Sequence, residues 1–121
     1  MTSPQELSAR DLARYARAVQ ESGLVPIIEP EILMDGSHDI QRTALVQEEV
    51  IKEVYSACHL NDVLLEGTLL KPSMTFPGAG CPQKADPKYV AEMTIRTMER
   101  CVPSSVPGIV FLSGGLSEEA A

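Results

Sequence analysis

The sequence predicts an α/β fold built on parallel strands. Three observations predict it. Short apolar runs recur at Leu24–Ile28, Val63–Lys71 and Gly108–Leu112. Amphipathic helical stretches precede and separate them. Each run ends in a polar group beside Pro or Gly: Glu29 before Pro30, Lys71 before Pro72, Ser113 before Gly114-Gly115. Strands alternating with helices imply βαβ units. Right-handed crossovers then leave two architectures, an open doubly wound sheet or a (β/α)₈ barrel. The pattern alone does not choose between them.

The first helix is expected over Ser8–Ser22, with Leu12, Tyr15, Ala16 and Val19 at i, i+3, i+4 and i+7 on one apolar face. Gly23 stops it. Leu24-Val25-Pro26-Ile27-Ile28 follows as a strand buried on both faces. Pro26 belongs at its start or at a bulge, because it donates no hydrogen bond. Asp35-Gly36 marks a turn. Asp39 is placed to cap a second helix running to about Ala57, with Ile51, Val54, Tyr55 and Cys58 on its inner face. The second run, Val63 to Lys71, reads as one strand, which puts Glu66 inside it on the face opposite Lys71, as a structural ion-pair partner or a subunit contact. A Pro- and Gly-rich loop follows. A third helix is expected from Pro87 to Arg100, with Ala91, Ile95, Met98 and Val102 on one side. The third run ends at Ser113-Gly114-Gly115, and Ser117 with Glu118 and Glu119 reads as a helix start. A barrel needs roughly 250 residues. Three strands in 121 residues cannot close one, so the chain is expected to be an incomplete segment of one barrel domain, without an internal boundary.

Composition narrows the function. Apolar residues make up 44% of the chain, enough for a core, and Trp is absent, so Val, Ile, Leu, Ala and Met must build it. A formal charge of −7 argues against a nucleic-acid binder that neutralises phosphates. Cys58, Cys81 and Cys101 form no CxxC pair and read as free thiols. His38 and His59 are isolated, so no metal site is expected. No apolar stretch is long enough to span a bilayer, and the N-terminus lacks the apolar region of a secretory signal.

The chemistry is expected where strands end, because ligand sites of parallel α/β folds lie at the C-terminal ends of strands. Leu65, Gly67, Leu69 and Lys71 would share one strand face. A lysine on such a face loses hydration, which disfavours its ammonium form, and a neutral amine attacks a carbonyl to form a Schiff base. Snorkelling to water is the competing reading. Glu29 shares a face with Val25, Ile27 and Glu31. Two carboxylates near an amine suit the proton transfers of carbinolamine chemistry, or a structural ion pair. Ser113-Gly114-Gly115 before a helix start suits a phosphate, or a tight turn.

Three segments carry a resemblance. Val63-Leu64-Leu65-Glu66-Gly67-Thr68-Leu69-Leu70-Lys71-Pro72-Ser73 is similar to the Schiff-base lysine signature of class I fructose-bisphosphate aldolases. Val25-Pro26-Ile27-Ile28-Glu29-Pro30-Glu31-Ile32-Leu33 resembles the strand with that family's acid–base glutamate, and Val106–Gly115 its phosphate-binding segment. The resemblance covers nearly the whole chain from about Ala9. It implies a partial (β/α)₈ TIM barrel, with about three parallel strands and their helices. It implies a cytoplasmic glycolytic lyase, an organelle such as a plastid staying open. The reaction it implies is reversible cleavage of fructose 1,6-bisphosphate to dihydroxyacetone phosphate and glyceraldehyde 3-phosphate, with no cofactor and no metal. The implied partners are a phosphorylated sugar and, for the parent enzyme, three further copies in a homotetramer; no nucleic acid and no membrane is implied. By position, Lys71 forms the imine, Glu29 moves the protons, Glu31 supports it, and Ser113, Gly114 and Gly115 bind a phosphate, with Thr68 and Leu33 lining the pocket. The stretch after Met74 departs from the commonest family form, which is expected to concern a surface loop. The isolated segment is expected to be inactive. A different Schiff-base aldolase on the same barrel, or a non-catalytic interaction segment, are the alternatives.

Overall fold

The computed structural model describes residues 4–30, 32 and 36–111. Helix α1 spans Pro4–Glu21, α2 Ile40–Leu60 and α3 Pro87–Cys101. Strands β1 (Ile27–Ile28), β2 (Leu69–Leu70) and β3 (Gly108–Ile109) form one parallel sheet in the order β1-β2-β3. The register pairs Ile27 with Leu69 and Leu69 with Gly108, then Ile28 with Leu70 and Leu70 with Ile109.

Burial separates the two architectures left open by the strand–helix pattern, in favour of the barrel that the resemblance implies. Ile28 and Leu70 are fully buried against the helices, whereas Val25, Ile27 and Val110 are 62, 45 and 42% exposed. Among the described residues only one face of the sheet is covered, so the expectation that the first run is a strand buried on both faces is corrected. Sequential strand order with helices on one side is the arrangement of a barrel wall; a doubly wound sheet carries helices on both faces.

Helix ends follow local chemistry. At the end of α1 the Gly23 N–H donates to the Gln20 carbonyl and the Leu24 N–H to that of Val19, a Schellman motif with Gly23 at φ +79°. The Asp39 carboxylate accepts from the Arg42 N–H at 2.8 Å, the N-cap anticipated for α2. Asp86 caps α3 with Pro87 at its first position.

The helix faces differ in part from expectation. On α2, Ile51, Val54, Tyr55 and Cys58 are all buried as anticipated. On α1 the buried stripe is Ala9, Ala13 and Ala16, which let α1 lie close to α2, while Tyr15 is 53% exposed. On α3 the buried residues are Met93, Thr94, Thr97 and Met98, and Ile95 is exposed. The two threonines enter the interior because their hydroxyls donate to the carbonyls of Val90 and Met93 one turn back. The core joins Ala13, Ile28, Ile51, Val54, Leu70 and Met98 across all three helices and the first two strands.

The second run is not one strand. Leu65–Gly67 is a single 3₁₀ turn, and Glu66 on it is exposed, so Glu66 is no buried carboxylate. The Gln20 amide fixes this turn: its Nε2 donates to the Leu64 carbonyl at 2.7 Å, and its Oε1 accepts from the Leu64 N–H at 2.9 Å. Among the described residues no helix is long and apolar enough to cross a membrane.

Candidate active site

In a parallel sheet, residues at one register point to one face. One step beyond the pairs Ile28–Leu70–Ile109 stand Glu29, Lys71 and Val110, side by side on the uncovered face. The rungs continue to this level: the Lys71 N–H donates to the Ile28 carbonyl and the Val110 N–H to the Leu70 carbonyl, both at 2.8 Å. The Lys71 Nζ lies 3.8 Å from Glu29 Oε1. That is an ion pair too long for a hydrogen bond. Both side chains are partly open to solvent, at 39 and 52% of their surface. Lys71 therefore keeps much of the hydration it was expected to lose, because nothing among the described residues covers this face.

Glu31, Leu33, Ser113, Gly114 and Gly115 lie outside the described residues. Thr68 lies within them, and the expectation that it lines the pocket is corrected. It is fully buried on the helix-facing side with Leu70, and its hydroxyl donates to the Leu65 carbonyl at 2.8 Å.

The segment after Lys71 is no loose surface loop either. Pro72 and Thr75 are fully buried. Gln47 on α2 donates from Nε2 to the Ser73 carbonyl at 3.1 Å and to Ser73 Oγ at 3.2 Å, while the Thr75 hydroxyl donates to Gln47 Oε1. Thr94 Oγ1 on α3 accepts from the Thr75 N–H at 2.8 Å. Further on, the Gly78 N–H donates to the His38 carbonyl at 3.0 Å and the Gly80 N–H to that of Gly36 at 2.7 Å, which ties the loop after β2 to the loop after β1. A Cβ on Gly78 would come within 2.5 Å of the Gly36 carbonyl oxygen, so this crossing demands glycine. One sequence signal pointed to the network: Gln47 falls on the inner face of α2 between Ala44 and Ile51, where a polar residue needs a partner.

Among the described residues, no group of three or more His, Cys, Asp or Glu side chains could hold a metal ion. An amine and a carboxylate at the ends of adjacent parallel strands, opening on one face, can do imine chemistry: the amine as nucleophile, the carboxyl as proton carrier.

Comparison with known proteins decides the family. The family model Glycolytic, described as fructose-bisphosphate aldolase class-I, matches residues 3–121. The chain belongs to the class I fructose-bisphosphate aldolases. It is 57% identical to cytosolic fructose-bisphosphate aldolase 5 of Arabidopsis thaliana and 53% identical to fructose-bisphosphate aldolase B of Gallus gallus, in each case over 99% of this chain and 34% of the relative. Among solved structures, the aldolase of Plasmodium falciparum, in complex with TRAP and a small-molecule inhibitor, superposes with a TM-score of 0.93 at 49% identity, over 96% of this chain and 33% of that one. The chain thus spans about a third of the length of the aldolases it matches, and its fold is a partial (β/α)₈ barrel.

Proposed function

We propose that this chain is the imine-forming segment of a fructose 1,6-bisphosphate aldolase, one stretch of a single barrel domain. The observation that carries the reading is the 3.8 Å approach of Lys71 Nζ to Glu29 Oε1 at the C-terminal ends of adjacent parallel strands. In a completed barrel the uncovered sheet face becomes the interior, and Lys71 loses the water it now meets. Its neutral amine attacks the ketone carbon of the open-chain sugar. A C–N bond forms and the carbonyl electron pair moves to oxygen. Glu29 protonates that oxygen, water leaves, and a protonated imine remains. Glu29, left as a carboxylate when water departs, takes the C4 hydroxyl proton. The C4 oxygen forms the aldehyde carbonyl as C3–C4 breaks and sends its electron pair into the imine, giving an enamine of dihydroxyacetone phosphate and free glyceraldehyde 3-phosphate. Protonation of the enamine and hydrolysis of the imine, with Glu29 as proton acceptor, release the second product and return the lysine. Glu31 supports Glu29 electrostatically, and Ser113, Gly114 and Gly115 hold a substrate phosphate. The steps need no cofactor. A cytosolic location and a homotetrameric parent complete the reading, the first supported by the names of relatives such as the cytosolic enzyme of Arabidopsis thaliana.

The test is a chimera in which these 121 residues replace the matching third of the Arabidopsis cytosolic aldolase. Incubation with fructose 1,6-bisphosphate and sodium borohydride should leave a reduced sugar phosphate adduct on the peptide containing Lys71. Because the transplanted third brings Lys71 with it, the adduct reports on this chain's own residues. A folded chimera that traps another phosphosugar instead belongs to a different Schiff-base aldolase. A folded chimera that traps nothing rejects the catalytic reading.

A further inference from the structure

The amide of Gln47 is fully buried in the middle of α2, yet among the described residues every hydrogen bond it makes goes to the segment that follows the lysine. We propose that Gln47 is a positioning residue for Lys71, acting through Ser73 and Thr75. The inference rests on the imine-forming role proposed for Lys71.

Lys71 lies one residue beyond β2, and its N–H is bonded to the Ile28 carbonyl at 2.8 Å. Two residues on, the backbone is gripped again, by Gln47 at the Ser73 carbonyl. Pro72 between these points is fully buried and fixed in φ by its ring. The Lys71 backbone is therefore pinned on both sides, and the freedom left is that of the side chain reaching toward Glu29. Thr75 closes the grip. Its hydroxyl donates to the amide oxygen, and its N–H is taken by Thr94 on α3. Two helices thus fix the exit of β2. An apolar residue at position 47 would fill similar space but take its donor from the half-buried Ser73 carbonyl and leave the buried Thr75 hydroxyl with only its 3.4 Å contact to Thr97 Oγ1. The exit would then relax, and the amine would move relative to the carboxylate.

The test uses the chimera, with Gln47→Leu, Thr75→Val and the conservative Thr75→Ser. Gln47→Leu should lower kcat and the single-turnover rate of imine trapping together by roughly 10- to 100-fold, with KM changed less than about threefold, as expected for a misplaced reacting group. Thr75→Val should follow in the same direction, and Thr75→Ser should recover wild-type kcat, because it keeps the hydroxyl. A Gln47→Leu enzyme that melts lower but keeps its kcat and trapping rate makes Gln47 a purely structural residue and overturns the proposal. If Gln47→Leu does not fold, Thr75→Val against Thr75→Ser decides by the same criterion. Absence of trapping in the unsubstituted chimera would instead reject the imine reading itself.

Discussion

Glu29 meets Lys71 across 3.8 Å on a half-open face, so the pair contributes little to stability, and the role proposed for it is proton transfer. Glu29→Gln in the chimera is therefore expected to slow imine formation by about 10²-fold or more, while its melting temperature stays close to that of the parent. Stopped-flow trapping and calorimetry on the same sample check both halves; a large drop in melting temperature with unchanged trapping would contradict them. The thiols behave differently. Burial pushes Cys58 up from 9.0 to about 11. Cys101 also reaches about 11, through burial first and then the Glu48 carboxylate, against the lowering effect of Lys52 and Arg100. At pH 8 such a thiol is about one part in a thousand thiolate, so both should resist iodoacetamide in the folded state, read by peptide mass. The sign of the stability effect follows from the raised values. Below about pH 9 both states hold the proton and the contribution is complete. Between about pH 9 and 11 the unfolded chain ionises first, so stability falls as pH rises. A Cys58→Ala chimera should show a shallower decline of melting temperature over that window than the parent.

At the scale of the element, sequence legibility depended on whether the decisive interaction was local. Gly23 and Asp39 were readable because a helix end is settled by its nearest residues. The faces of α1 and α3 were readable only in part: Ala16 and Met98 lie buried as expected, but the pattern favoured large apolar side chains such as Tyr15 and Ile95 over smaller or polar neighbours. Ala9, Ala13 and Ala16 earn burial by allowing close helix approach, and Thr94 and Thr97 by satisfying their hydroxyls within the helix. Glu66 was misread for the reverse reason: the 3₁₀ turn that exposes it is held by Gln20, which lies 46 residues earlier in the chain. The end of α2 offers a test of local control. Asp62 adopts φ +55°, its N–H donating to His59 and that of Val63 to Cys58, a Schellman end built without glycine. Asp tolerates this conformation better than a β-branched residue does. Asp62→Gly should leave the chimera as stable or raise it by up to about 1 kcal/mol, whereas Asp62→Val should cost about 1–2 kcal/mol, measured by denaturant unfolding. Equal stability of the two variants would show that the strain is absorbed elsewhere.

For the whole molecule, the alternation of strands and helices announces a parallel α/β fold without choosing its closure; the family resemblance of three segments implies a barrel, and burial, which no single run of residues displays, supplies the physical reason. Among the described residues the sheet is covered on one side only. Val25 and Ile27 of the first run and Val110 of the third, which share the uncovered face, are 62, 45 and 42% exposed. These are side chains that a barrel interior would cover, and β1 and β3 each offer an edge with no neighbour among the described residues. Strands so short hold few rungs, and long-range parallel pairing must repay its loop-closure entropy before it stabilises anything. The helices are better placed, since α1 and α2 share most of the core, and α1 holds the end of α2 through Arg17 at the Asp62 carbonyl and the turn before β2 through Gln20 at Leu64. The 121-residue polypeptide expressed alone should accordingly keep helical circular dichroism but melt over a broad range, bind a hydrophobic dye, scatter light increasingly with concentration, and cleave no fructose 1,6-bisphosphate. The chimera should reverse all four, because covering the sheet face supplies its missing apolar contacts and dehydrates Lys71 in the same step. A sharp, concentration-independent melt of the isolated chain would mean that its helices suffice to hold the sheet. Turnover without the other two thirds would mean that the amine needs no enclosure at all, which would remove the physical reason for placing the chemistry inside a barrel.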